Sequence, residues 1–295
     1  MNGYYQGLII LVGINIIAVL GVSILTGFTR LFSFGNAGFM SIGAYTAAIL
    51  SCNYHVSFLP SVLAGAILGA VFAFLLGKLT LNLQGDYFLI ATLGFGESVR
   101  VLFNYLIPIT GGASGISGIP PIPGNQLLIV IIITIVFIII ARNIVFSKFG
   151  RNLMAIREDE LAAKAVGIDT AKYKNFAFTL SGFFAGVSGA VWAHYFTFIN
   201  PVMFNLDKSA EMTIVVVIGG LGSISGTIVA SILITLLPEL LRAASEFRML
   251  AYGIAVVVII NLWPAGIMGY KEFSITAFRN LWLSLKTRIG KGESK

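Results

Sequence analysis

Residues 126 to 141 read QLLIVIIITIVFIIIA, an apolar run without a single charge. A helix that crosses a bilayer needs about 20 mostly apolar residues. This chain offers such a stretch repeatedly, at 6–26, 34–52, 58–80, 87–107, 126–146, 175–199, 211–240 and 250–268. Hydrophobic residues make up 57% of the 295 and charged residues only 11%, where a soluble domain carries about 25% charged residues. The expected fold class is all-α, a polytopic transmembrane helical bundle of about eight hydrophobic segments. Residues 1–268 form its single transmembrane domain, with a cytoplasmic loop at 147–174. A basic cytoplasmic tail follows at 269–295.

The formal net charge of +7 invites a nucleic-acid reading, but its distribution argues against one. Seven of the 19 Lys and Arg lie between Arg142 and Lys174, and six between Lys271 and Lys295. Such clustering follows the positive-inside rule and sets both stretches on the cytoplasmic side. The bilayer, with acidic lipid at the tail, is the expected partner of this charge. Cys52 is the one cysteine, so no intrachain disulfide can form. The first residues, MNGYYQGLIILVGINIIAVLGV, lack the basic start and small-residue cleavage site of a signal peptide and read as a retained first helix.

The stretch PITGGASGISGIPPIPGN at 108–125 is an outer loop, because its Gly and Pro cannot continue a helix. From the loop at 142–174 to the basic tail there are three apolar segments, and three full crossings would put the tail outside. One segment must fail to cross. The best candidate is 211–240, interrupted by GGLGSISG at 219–226. The segment 34–52 carries the same G-x-x-G-x-x-S spacing: GNAGFMS at 35–41 matches GGLGSIS at 219–225. Gly35, Gly38, Gly219, Gly220, Gly222 and Gly226 are therefore candidate broken-helix glycines. Re-entrant backbone is tolerated where it is buried in protein or lines a cavity, and paired interruptions point to a transport pathway. If both segments are re-entrant, both termini lie inside. In segment 175–199, Gly182 and Gly186, then Ala185, Gly189 and Ala193, form small-residue stripes that let helices approach closely, within this chain or against a second subunit.

One polar stretch interrupts the apolar text: REDELAAKAVGID at 157–169. Glu158, Asp159 and Glu160 suit the positive end of a helix dipole, strong helix formers follow, and Gly167 suits a left-handed cap. The expectation is one short cytoplasmic helix, after which Asp169 or Thr170 caps the next span. A connection of roughly 30 residues exceeds the usual helix-to-helix loop and reads as a docking element.

FGRNLMAIREDELAAKAVGID at 149–169 resembles the cytoplasmic loop of ABC importer permeases, whose E-A-A-x-x-x-G signature forms a coupling helix for the ATPase. Here Glu160, Ala162, Ala163 and Gly167 stand in that pattern, with Leu161 inserted. FGNAGFMSIGAYTAAIL at 34–50, LQGDYFLIATLGFGESVR at 83–100, TGGASGISGIP at 110–120 and VVIGGLGSISGTIVASILITLLPELLR at 216–242 resemble the branched-chain amino acid permeases of the LivM type. The resemblance runs from about residue 10 to 268. It implies a permease subunit in a bacterial cytoplasmic (inner) membrane, with a paralogous permease, two cytoplasmic ABC ATPases and an extracytoplasmic substrate-binding protein as partners. Arg157, Glu158, Asp159, Glu160, Leu161, Ala162, Ala163 and Gly167 would form the ATPase-coupling helix. The chain would bind no cofactor itself, with ATP and Mg in the partner ATPases. Its own text agrees, since LGKLT and IGKGESK do not make a G-x-x-x-x-G-K-[ST] phosphate loop.

Glu97 and Arg100 sit three apart on segment 87–107, near mid-membrane, where ionisable groups by default suggest function. They are candidates for the pathway or for a structural ion pair. The alternative function is an ion-coupled secondary transporter or channel using Glu97. An intramembrane enzyme has no catalytic constellation to support it, and no residues are spaced as metal ligands. His55 and His194 read as interfacial anchors. Asn200, Pro201, Asp207, Lys208 and Glu211 read as an outer solvated loop, or as contacts for a binding protein.

Overall fold

The computed structural model describes residues 3–81, 83, 85–240, 253, 254, 256–258, 261 and 266–269. The expected span 250–268 is thus described only in part, and the tail from 270 onward lies outside the described residues. Among the described residues the regular elements are helices, apart from one ladder of two two-residue strands. In order, α1 (Gly3–Val22) runs into a widened π-helical turn (Ser23–Gly27). Then come α2 (Asn36–Asn53), α3 (Phe58–Thr80), α4 (Asp86–Tyr105), the short α5 (Ile107–Thr110) and β1 (Ile116–Ser117). They are followed by α6 (Gln126–Phe146), α7 (Lys148–Glu158), α8 (Glu160–Ala165), α9 (Thr170–Phe196), β2 (Phe198–Ile199), α10 (Leu206–Gly219) and α11 (Ile224–Leu240). Among the described residues, four helices are long and apolar enough to cross a membrane: Gly3–Gly27, Phe58–Thr80, Gln126–Phe146 and Thr170–Phe196.

α9 is the axis of the core, and its small residues explain why. A methyl group on Gly186 would lie 2.7 Å from the carbonyl oxygen of Gly65 and 3.0 Å from Cα of Ala66 on α3. One on Gly65 would lie 2.6 Å from the carbonyl oxygen of Gly43 on α2, and Gly189 sits against the backbone of Met40. Three helices therefore touch backbone to backbone, the packing that replaces hydrophobic attraction inside a bilayer. The stripes of small residues on α9 are used within this chain. Phe178 of α9 closes the layer beneath, edge-on to Phe39 at 5.4 Å and to Phe88 at 5.5 Å.

Helix directions follow from the contacts. α9 begins beside the basic loop, the end called basic here. α1 runs against it: Ser188 Oγ donates to the Ile14 carbonyl at 2.9 Å, and Gly7 lies against Tyr195. The first described residues therefore lie at the end opposite the basic loop, not at the basic end where the re-entrant reading put the N-terminus; the tail lies outside the described residues.

Segment 34–52 is not re-entrant. α2 is unbroken through Gly38, starts halfway along α9 with Asn36 Oδ1 accepting from Ser181 Oγ at 3.0 Å, and ends with Ser51 beside His194. The chain climbs from the basic end in irregular backbone over 30–35, and the helix begins only at mid-depth. The physical reason is that Gly35 and Gly38 serve close approach to α4. Methyl groups there would lie 2.9 Å from the Thr92 carbonyl oxygen and 3.0 Å from Gly96 Cα.

Segment 211–240 is two helices. Lys208 and Thr235 both bond Asn15, while Thr227 bonds Ser23 of the π turn. α10 therefore descends alongside α1 and α11 returns, with the turn at the basic end. Ile267 N donates to the Ile218 carbonyl at 2.8 Å, so residues 266–269 lie at that same end. Lys208 and Glu211 belong to α10 and not to an outer loop: Lys208 Nζ bonds Asn15 Oδ1 at 3.2 Å and Glu211 Oε2 at 3.0 Å, and lies 5.4 Å from the Trp192 ring.

At the far end, β1 pairs antiparallel with β2, Ile116 opposite Ile199, and straps the uncharged loop 108–125 to the end of α9. His194 is fully buried there and is no interfacial anchor. Its Nδ1 donates to the Pro120 carbonyl at 2.7 Å, and its Nε2 lies 3.0 Å from Ser61 Oγ and 3.3 Å from Ser51 Oγ. One ring thus joins α2, α3, α9 and the strapped loop.

Candidate coupling surface and the glycine turn beneath it

The polar stretch at 157–169 is shared between two helices. α7 carries Arg157 and Glu158 as its last turn. Asp159 then adopts extended backbone (φ −153°, ψ 112°), and its Oδ1 accepts from the amides of Leu161 at 2.8 Å and Ala162 at 3.0 Å. That is an N-cap, satisfying amides the helix start leaves free. The single helix expected from Glu158 onward is therefore broken at Asp159, and the short helix α8 is Glu160–Ala165. Its far end is closed by Gly167 at φ +87°, with Gly167 N bonding the Lys164 carbonyl and Ile168 N the Ala163 carbonyl, each at 3.0 Å. Those two bonds make a Schellman cap. No atom lies near the position of a Cβ on Gly167, so glycine is needed there for its backbone angle alone. Asp169, not Thr170, caps α9 by accepting from Lys172 N at 3.2 Å.

The two caps hold α8 as a rigid ledge with one face down. Ala163 is buried, while Leu161 and Val166 are each 77% exposed. Large apolar side chains that exposed, on a short capped helix at the basic end, form an apolar contact surface.

Glu160 does not point away. Its carboxylate accepts from Thr170 Oγ1 at 3.0 Å, pairs with Lys164 at 3.2 Å and binds Lys174 Nζ, which ties the ledge to the first turn of α9. Burial pushes this carboxyl up, but the hydrogen bonds of Lys174, Thr170 and Lys164 and the charge of Lys174 outweigh it and hold it below the usual carboxylate range. The tether is therefore ionised at neutral pH. Glu158 is held low as well, chiefly by its hydrogen bond from Arg157.

Arg157 reaches the other way. Its side chain is 11% exposed; Nη2 bonds Glu158 Oε1 at 2.7 Å, and Nη1 donates to the Gly27 carbonyl at 3.3 Å. The guanidinium also lies against Gly222. Gly27 and Gly222 touch, since a methyl on Gly27 would sit 2.9 Å from Gly222 N. The end of α7, the π turn of α1 and the turn between α10 and α11 thus meet at one point.

That turn uses its glycines differently from one another. Gly220 (φ +112°) and Gly222 (φ +95°) need backbone angles that side chains disfavour. Gly219 and Gly226 let α10 and α11 cross in contact, a methyl on Gly219 falling 2.7 Å from Thr227 Cα. Ser223 caps the return helix by accepting from Gly226 N at 3.0 Å.

α10 starts in the same mid-depth junction as α2. Ala37 N donates to Ser209 Oγ at 2.9 Å, Phe34 N to Thr92 Oγ1 at 3.2 Å, and Asn205 Oδ1 caps α10 at Lys208 N, 3.1 Å away. Glu97, Phe34, Asn205 and Ser209 line one narrow crevice beside this junction. Glu97 and Arg100 are paired at 2.6 Å and half-buried on α4. Asn15, Asn36, Ser181 and Ser209 were not singled out in the sequence. Asn15, Asn36 and Ser181 stand in largely apolar text and Ser209 among the charges of LDKSAEM, and the partner of each lies far along the chain.

Over residues 4–262 the chain matches the family described as branched-chain amino acid transport system / permease component. It is 33% identical over 288 residues to the high-affinity branched-chain amino acid transport system permease protein LivM of Escherichia coli (strain K12), covering 86% of this chain and 68% of that one. It is 26% identical over 129 residues to the permease protein LivH of the same organism, covering 43% and 42%. It is 24% identical over 231 residues to the ribose import permease protein RbsC of Haemophilus influenzae, covering 73% and 71%. No solved structure matches it.

Proposed function

The chain belongs to the branched-chain amino acid transport system permease family, and we propose that it is the membrane subunit of an ABC importer that carries branched-chain or related amino acids across a bacterial cytoplasmic membrane. It does no covalent chemistry. A paralogous permease completes the translocation pathway, a reading supported by similarity to two distinct permease proteins, LivM and LivH, of one organism's branched-chain amino acid system. Two ABC ATPases bind ATP and Mg on the cytoplasmic side, and an extracytoplasmic binding protein delivers the substrate.

The observation that carries the reading is the ledge α8 and its link to the glycine turn. An ATPase grips Leu161 and Val166 and moves the ledge as a unit, because Asp159 and Gly167 fix both its ends. Glu160 passes the displacement to the base of α9 through Lys174 and Thr170. Arg157 passes it to Gly27 and Gly222. The turn at Gly220 and Gly222 is the hinge, and α10 carries the motion to its other end, where Ser209 holds the start of α2. An ATPase-driven shift at the basic end thereby reaches mid-membrane through one continuous set of contacts.

The test is uncoupling. Glu160→Lys reverses the charge facing Lys164 and Lys174. Gly167→Pro removes the amide bonded to Lys164 and imposes a negative φ where +87° is required. Both variants should insert and assemble, and their complexes should hydrolyse ATP while amino acid uptake falls to background. Uptake unchanged in both would overturn the assignment of α8 as the coupling helix.

A further inference from the structure

The outward faces of this bundle are not alike. Along the middle of α6, from Leu128 to Ile140, the exposed positions are all aliphatic, Ile131, Ile135 and Ile139 among them, as a surface against acyl chains must be. The outward face of α4 carries Gly94 and Ser98 among its apolar residues, with Glu97 and Arg100 half-buried along its edge. Glu97 and Arg100 form an ion pair with side chains 33% and 36% exposed. Glu97 lies near the midpoint of α4, at the level where Gly96 packs beside Gly38 and α2 begins, and Arg100 lies one turn further on.

Hydrocarbon cannot solvate that pair. Ionised residues within membrane spans face a protein interior or a water-filled cavity, because leaving them against lipid is costly. Among the described residues nothing lies within 4 Å of the position of a Cβ on Gly94, and Ser98 one turn on is exposed. The polar pair thus sits beside a flat strip on which another helix can lie close.

We propose that this face of α4 is where the second permease subunit packs, and that Glu97 and Arg100 lie along the seam between the two subunits. The occupant must be protein of matching character: a span with its own polar groups at mid-depth, able to meet both a carboxylate and a guanidinium. A permease of the same family answers that description. The crevice lined by Phe34, Asn205 and Ser209 adjoins Glu97, so the seam runs past the starts of α2 and α10, the elements moved by the coupling loop. The inference rests on the pairing of two permeases proposed above and adds which face makes the pair.

A photo-crosslinking amino acid, p-benzoylphenylalanine, tests it in the assembled complex in native membranes. Val101→p-benzoylphenylalanine lies on the α4 face, and Ile135→p-benzoylphenylalanine on the α6 face is the comparison. After irradiation, the α4 variant should yield several-fold more adduct with the second permease, identified by mass spectrometry, and the α6 variant should yield little. A second readout guards against a poorly assembled variant: Ser98→Cys in a Cys52→Ser background should be slow to react with a small thiol reagent in the complex and faster when the chain is expressed alone. Adduct from α6 and not from α4, or Ser98→Cys reactivity indifferent to the second permease, would overturn the face while leaving the pairing intact. If no second permease accompanies the wild-type chain, the pairing itself is wrong and the inference falls with it.

Discussion

Two glycine-rich stretches with one spacing fold in opposite ways. GNAGFMS at 35–41 opens an unbroken helix, and GGLGSIS at 219–225 reverses the chain. Gly35 has an ordinary right-handed backbone, φ −85°, and glycine is needed there for space against Thr92 of α4. Gly220 and Gly222, at φ +112° and +95°, are needed for the turn itself. The neighbouring polar residue also differs in role. Asn36 bonds Ser33 and Ser181 and pins the helix start at mid-depth, while Ser223 caps a helix leaving a turn. Glycine spacing announces close backbone approach, and what the chain does there is decided by the partners that meet it.

Substituting glycines separates the two uses. Gly222→Val should have the largest effect. It places a branched side chain at φ +95° and against Arg157, at a cost of about 3 kcal/mol from backbone strain alone. The complex should lose uptake and denature at clearly lower temperature in mild detergent. A variant with unchanged uptake and thermal stability would mean that the turn needs no glycine. Gly38→Ala should cost less, about 1 kcal/mol, because its methyl meets one Cα at 3.0 Å and a small shift of α4 relieves it. Thermal denaturation of this variant should move slightly and uptake should persist; a loss as large as that at Gly222 would erase the distinction between the sites. Gly94→Ala is the control. With nothing within reach of the added methyl, the chain expressed alone should change by no more than about 0.5 kcal/mol, measured by the same thermal assay. A larger change would mean that α4 packs against this chain there.

Spans and caps were legible in the sequence where they depend on local text. The apolar runs at 58–80 and 126–146 became helices of those bounds, and Gly167 sits at the left-handed cap its position suggested. The polar interior was not legible. Lys208 and Glu211 follow a loop and look solvated, yet Lys208 lies with Asn15 of α1 and beside Trp192 of α9. His194 looks like an interfacial residue beside Trp192 and Tyr195, but serines of α2 and α3 lie around its ring. Asp159 was hidden among three acids, and only its extended backbone reveals that it separates α7 from α8. In each case the deciding partner is distant in sequence, so composition and periodicity carry no trace of it. Arg157 belongs to the same class: adjacent text places it in the polar stretch 157–169, and only the fold brings it to Gly27 and Gly222.

The most direct test of the central claim, that this chain is an ATP-driven permease coupled through its basic-end ledge, is amino acid uptake by the purified complex. The chain, its second permease and its ATPases are reconstituted in vesicles, with the binding protein and labelled leucine on one side and ATP on the other. The account predicts uptake that requires ATP hydrolysis, is indifferent to an imposed proton gradient, and is lost in Arg157→Gln while hydrolysis continues. Uptake that proceeds without ATP and follows the proton gradient would contradict it.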